Sequence, residues 1–223
     1  MDMAAPTPMP TDTQILTLNQ WLSPAYPVGS FAYSHGLEAT VDKGWLRDAS
    51  SLMEWLEDVL NYGAGFSDAL FIAAAYRAGC VDKLTEIDAT ARAFAPSKER
   101  LFESTQQGEA FCAVTAAISG AELHGLTYPV ALGRAAALQD LPLHLTIKMY
   151  LLAFTSNLVA ASQRLMPVGQ TEGQQILRAL TPTCVQVAER AETGSLAMLS
   201  STSFLIDIAS MQHETQYSRI FRT

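Results

Sequence analysis

The hydrophobic positions of this chain repeat at helical spacing for most of its length. From Asp48 to Gly63, Leu52, Trp55, Leu56, Val59 and Leu60 recur at three- and four-residue steps. Glu54, Glu57 and Asp58 fall elsewhere on the helical wheel. That pattern predicts an amphipathic helix with Asp48 as its N-cap and Gly63 as its stop. A longer helix is predicted from Pro142 to Leu165. Leu143, Ile147, Tyr150, Leu151, Phe154, Leu158, Ala161 and Leu165 share one broad stripe, and only Lys148 and Arg164 are charged. A helix this apolar should be central to the fold.

Further helices are predicted over 13–22, 67–78, 82–94, 97–118 and 129–138. A pair follows over 169–180 and 182–199, divided at Pro182 because a proline removes one helical hydrogen bond. No run of alternating β-branched residues bounded by turn signals predicts a strand. The breaks are short and often hold Gly or Pro. The expected architecture is all-α, a single domain of about nine or ten helices. The proline-bearing start, 1–12, reads as a disordered arm, 13–205 as the domain, and 206–223 as a segment apart.

Composition narrows the function classes. Of 223 residues, 49% are hydrophobic and only 16% charged, and the formal net charge is −8. The charged share lies below the ~25% typical of soluble domains, so the chain either buries much of its surface in a thick helical core or gives some of it to partners. Net negative charge repels phosphate backbones, which argues against nucleic-acid binding. The uncharged run 149–163 is shorter than a membrane span and holds Thr155, Ser156 and Asn157. Cys80, Cys112 and Cys184 are far apart, and each is expected to be a small buried hydrophobe in a reducing, cytoplasmic setting.

The familiar catalytic motifs are missing. No GxxxxGK[ST] and no GxGxxG occur. His213 to Tyr217, HETQY, lacks the second histidine of a zincin, and no Glu-x-x-His pair for a di-iron site exists. His35 and Glu38 are three residues apart and would share a helix face if that stretch were helical. A local hydrogen-bonded pair is the plainest reading of them. A metal contact or acid–base chemistry through the two is the sharper alternative. Ser34 lacks the GxSxG setting of a hydrolase nucleophile. The segment IASMQHETQYSRIFRT combines Tyr217, Ile220 and Phe221 with Arg219 and Arg222. That is the composition of a binding anchor, or of a tail folded on its own core.

Three stretches resemble one family. SPAYPVGSFAYSHGLE, from Ser23, resembles the signature S-P-x-x-P-V-G-x-F-x-Y-S-[QH]-G-L-E of the urease accessory protein F family, UreF. LMPVGQTEGQ, Leu165 to Gln174, resembles its P-L-G-Q-x-x-G-Q segment. MQHETQYSRIFRT resembles its M-R-H-E-x-x-Y-x-R-L-F-x-S ending. Gln212 departs from the family's Arg, Val168 from Leu, and Thr223 from Ser.

The resemblance implies an all-α, dimeric scaffold without catalytic residues or a stably bound cofactor, nickel being handled by the complex. Its implied partners are a D/H-type accessory protein, a nickel-carrying G-type GTPase and apo-urease. It implies that Met211 to Phe221, with His213, Glu214, Tyr217, Arg219 and Phe221, orders on the D-type partner. It implies that Val28 to Glu38, with Phe31, Tyr33, His35 and Glu38, forms the dimer or GTPase-facing surface. Lys148 is a further implied polar contact. Two other readings remain beside it: a helical enzyme using His35 and Glu38, and a nickel storage protein.

Overall fold

A computed structural model describes residues 9–200 and 202–223. Ten α-helices lie among them: α1 (Asp12–Trp21), α2 (Leu37–Asp42), α3 (Ala49–Tyr62), α4 (Ala64–Tyr76), α5 (Val81–Phe94), α6 (Lys98–Ser119), α7 (Tyr128–Leu138), α8 (Leu143–Leu165), α9 (Gln170–Thr193) and α10 (Phe204–His213). Short 3-10 turns cover Ser30–Ala32 and Leu196–Met198. No strand occurs among the described residues. The fold is all-α, as the periodicity predicts. Most of the arm read as disordered, residues 1–8, lies outside the described residues; its last residue, Asp12, opens α1.

Local chemistry sets several boundaries. Thr11 caps α1 and Asp48 caps α3, each through a reciprocal capping box with Gln14 and Ser51. The stripe Leu52, Trp55, Leu56, Val59 and Leu60 is buried. Gly63 ends α3 and also starts α4, so α4 begins at Ala64, earlier than the apolar pattern alone indicates.

Helix α4 is deeply enclosed. Its residues from Ala69 to Ala73 are all buried, and it packs on α3, α7, α8 and α9. Gly133 of α7 lies so close to the Ile72 carbonyl of α4 that a Cβ there would collide with it. The 23-residue α8 is the one described helix long and apolar enough to cross a membrane, and half of it is buried inside the fold. It packs mainly on α9 and keeps one face partly open.

Two expectations need correction. Residues 170–193 form one helix, running through Pro182. Pro182 is exposed, so the carbonyl it leaves unbonded faces water. Ile176, Leu180, Cys184, Val187 and Ala188 carry one buried stripe across it, and that burial outweighs one lost hydrogen bond. The helix stops at Thr193, short of Leu199. Cys80 is exposed, unlike Cys112 and Cys184, because it precedes the first turn of α5.

Candidate functional site: a tail docked on the N-terminal signature

The signature stretch after α1 is an irregular, tightly tied segment. Gly29 and Gly36 have left-handed backbones (φ 73° and 79°), and His35 shares that region at φ 58°, an uncommon conformation for a residue with a side chain. Helix α2 begins only at Leu37. His35 therefore precedes the helix, and the helical pairing of His35 with Glu38 does not form. A Cβ on Gly36 would lie 2.9 Å from the Ser210 backbone nitrogen. Glycine at 36 thus allows α2 to abut α10.

Residues 214–223 leave α10 and run back along this segment. The Arg222 backbone N–H donates to the Ala32 carbonyl at 2.8 Å. The Thr223 carbonyl accepts from the Ser34 N–H at 2.7 Å and from the Ser34 hydroxyl at 2.6 Å. The Glu38 carboxylate, almost fully buried, accepts the N–H groups of Ile220 at 2.7 Å and Phe221 at 2.9 Å. Phe221 is buried, with the Arg164 guanidinium 4.3 Å above its ring.

His213 binds the arrangement together. It is fully buried, with Nδ1 2.7 Å from Glu99 Oε2 and Nε2 3.4 Å from Glu38 Oε2. Glu99 also receives Arg219 at 2.7 Å. Glu214 accepts the Lys98 N–H at 2.8 Å, satisfying an open donor at the start of α6. Tyr33 is buried; desolvation raises its hydroxyl pKa, partly offset by a hydrogen bond to Arg222. Gln212, the departure from the family's Arg, leaves its amide oxygen buried without a partner.

A second buried polar cluster lies beneath the tail. Arg100 donates to Asp68 at 2.6 Å and lies 3.4 Å from Glu103. Tyr150 donates to Asp68 at 2.6 Å, Gln107 to Glu103 at 3.2 Å, and Thr223 to Glu103 at 3.1 Å. Burial alone would raise the Glu103 carboxyl pKa; the charge of Arg100, helped by His35 and Thr223, lowers it overall. Burial likewise opposes the charge on Arg100, but Asp68 and Glu103 outweigh it and raise its pKa. His35 stands edge-on to Phe154, with Nδ1 3.6 Å from Glu103 Oε2, too far for a hydrogen bond.

The structure thus brings Tyr33, Glu38, His213, Glu214, Arg219 and Phe221 into one region. Phe31 and Tyr217 project outward, Tyr217 fully exposed. Lys148 lies elsewhere on α8 and pairs with Glu189 of α9 at 3.4 Å. Sequence reasoning missed Glu99 and the cluster of Asp68, Arg100, Glu103 and Tyr150. A signal was available: Arg100, Glu103 and Gln107 repeat at helical spacing as a polar stripe, while Asp68 interrupts an otherwise apolar helix.

Comparison with known proteins bears directly on this arrangement. The UreF family model matches residues 46–181. A urease accessory protein UreF from Ruegeria pomeroyi is 58% identical over 214 residues, covering 96% of this chain and 99% of that protein.

The chain belongs to the UreF family.

The UreF protein of Roseobacter denitrificans is 52% identical over 96% of this chain and 96% of its own length. That of Ruegeria sp. (strain TM1040) is 57% identical over 96% of this chain and all of its own. These relatives are named as accessory proteins, not as enzymes. The family model ends at Pro182's neighbour, Thr181, and starts at Leu46. The relatives match 96% of the chain, well beyond the bounds of the family model.

Proposed function

We propose that the chain is a cytoplasmic scaffold for urease maturation. In this reading it joins a D/H-type accessory protein to a G-type GTPase and docks them on apo-urease. It thereby assists nickel delivery and lysine carbamylation without an active site of its own. One observation carries the reading: the latched tail and α10 turn a continuous set of large apolar side chains outward. Phe204, Leu205, Ile208 and Met211 are exposed on α10, followed by Tyr217 and Ile220. Interface cores favour such aromatic and apolar residues and are poor in charge.

The D/H-type protein is assigned to this α10–tail surface. Glu38 and His213 act in it as positioning groups, since both are buried and neither can meet a partner directly. The surface around residues 28–38 is assigned to a second contact. The enzyme reading loses support because the Glu38 carboxylate is engaged by two backbone N–H groups and lies next to His213, not His35.

The test is capture of purified D/H-type protein by Tyr217→Ala and by a chain ending at Gln216. Both should bind at least 10-fold more weakly, and Tyr217→Ala, at a fully exposed position, should melt like the parent chain. Undiminished binding by both would exclude the tail as the anchor.

A further inference from the structure

A recess of about 230 Å³ opens between α8 and the segment that follows α1. Trp21, Val28, Ala153 and Phe154 give it apolar walls. Its inner end is polar: Arg100, Glu103 and Gln107 of α6 reach it, each more than nine-tenths buried. Apolar walls around a few convergent polar groups are the ordinary form of a small-molecule site. A cavity of roughly 150 Å³ already accommodates benzene, so one substituted ring has room here.

The polar groups differ in what they still offer. Arg100 is paired with Asp68 and Glu103, and Glu103 also accepts from Gln107 and Thr223. An ionised carboxylate only accepts, so Gln107 must present its NH2 group to Glu103 and keep its amide oxygen free. That oxygen has no hydrogen-bond partner among the described residues. Tyr128 lines the same recess and is only 8% exposed, and its hydroxyl has no hydrogen-bond partner among them either. Burial raises its pKa, so the hydroxyl keeps its proton and remains a donor. Buried polar groups are ordinarily paired. An open donor and an open acceptor beside one recess point to a ligand that carries both.

Charge narrows the ligand further. Residues 13–37 and 149–163, which furnish the mouth, contain no Asp, Glu, Lys or Arg. The charges at the inner end are already matched to one another, so a charged visitor would have to break those pairs. An anion would in addition meet Glu103 and a chain of net charge −8. A neutral ring disturbs none of these pairs.

We infer that this recess binds a small neutral aromatic amide, its ring between the apolar walls, its carbonyl accepting from the Tyr128 hydroxyl and its N–H donating to the Gln107 amide oxygen. The inference goes beyond the scaffold reading and does not rest on it, so the full chain is tested alone, with benzamide as the probe. Ligand-observed NMR titration should show saturable binding to the parent chain. Benzoate, the same ring with a charge, and toluene, the same ring without polar atoms, should each bind roughly 10-fold more weakly or worse. Tyr128→Phe should weaken benzamide by roughly 5-fold and leave toluene unchanged, a split that a general loss of packing would not give. Ala153→Trp, which fills the recess, should abolish binding. Circular dichroism of each variant checks the fold, and a misfolded Ala153→Trp is replaced by Ala160→Leu. No saturable binding by the parent chain, benzoate binding as tightly as benzamide, Tyr128→Phe without effect, or binding that survives a filled recess would each overturn the inference.

Discussion

The carboxylate of Glu38 holds the backbone N–H groups of Ile220 and Phe221 at 2.7 and 2.9 Å, across 182 and 183 residues of sequence. A single side chain near the beginning of the fold thereby fixes the path of its last residues. Hydrogen bonds to a charged group are among the stronger ones, and their loss also strands the buried Phe221 N–H. Glu38→Ala is expected to destabilise the fold by about 2–4 kcal/mol. The local readout is hydrogen exchange, which should quicken selectively at the amides of Ile220 and Phe221.

Phe221 anchors the same segment by burial. Phe221→Ala removes a ring packed beneath Arg164 and is expected to cost about 3–5 kcal/mol of tail docking. Limited trypsin digestion should then cut at Arg219 well before the helices are attacked. Equal resistance of variant and parent would show that the tail is held without the ring.

The Asp68–Arg100 pair is buried on both sides. Arg100→Met leaves Asp68 and Glu103 as uncompensated buried acids, and should destabilise by about 3–5 kcal/mol. Adding Asp68→Asn to that variant removes one of the stranded charges and should recover part of the loss. Urea unfolding of the single and double variants measures the coupling.

The lowered pKa of Glu103 has a pH consequence. Its folded-state value lies below its unfolded value, so its contribution is present above the unfolded carboxylate pKa of about 4.3. That contribution is lost as the pH falls through the folded-state value. Melting temperature should therefore decline on acidification below about pH 4.5, and Glu103→Gln should flatten that decline relative to the parent chain.

Gln212 offers a stabilising change. Its amide oxygen is buried without a partner, and such a group costs about 1–3 kcal/mol. Gln212→Met keeps similar length, removes the unpaired atom, and should raise the melting temperature by a few degrees.

Most of the long helices are legible along the chain, because helical period and capping are local. Asp48 and the stripe from Leu52 to Leu60 specify α3 with no help from distant residues. The three motifs likewise sufficed to place the chain in its family. Local signals failed where burial overrode propensity, as at Pro182, where a long apolar stripe carries α9 through a residue that ordinarily ends a helix. They also could not say what Glu38 faces. His35 and Glu38 look paired from their spacing, yet a left-handed turn at His35 and Gly36 separates them: the His35 ring packs edge-on to Phe154 while Glu38 lies beside His213. The convergence of Glu38, Glu99 and His213 on the tail follows from packing between distant segments. A buried carboxylate finds donors wherever packing brings unsatisfied N–H groups, and that choice depends on distance in space, not along the chain.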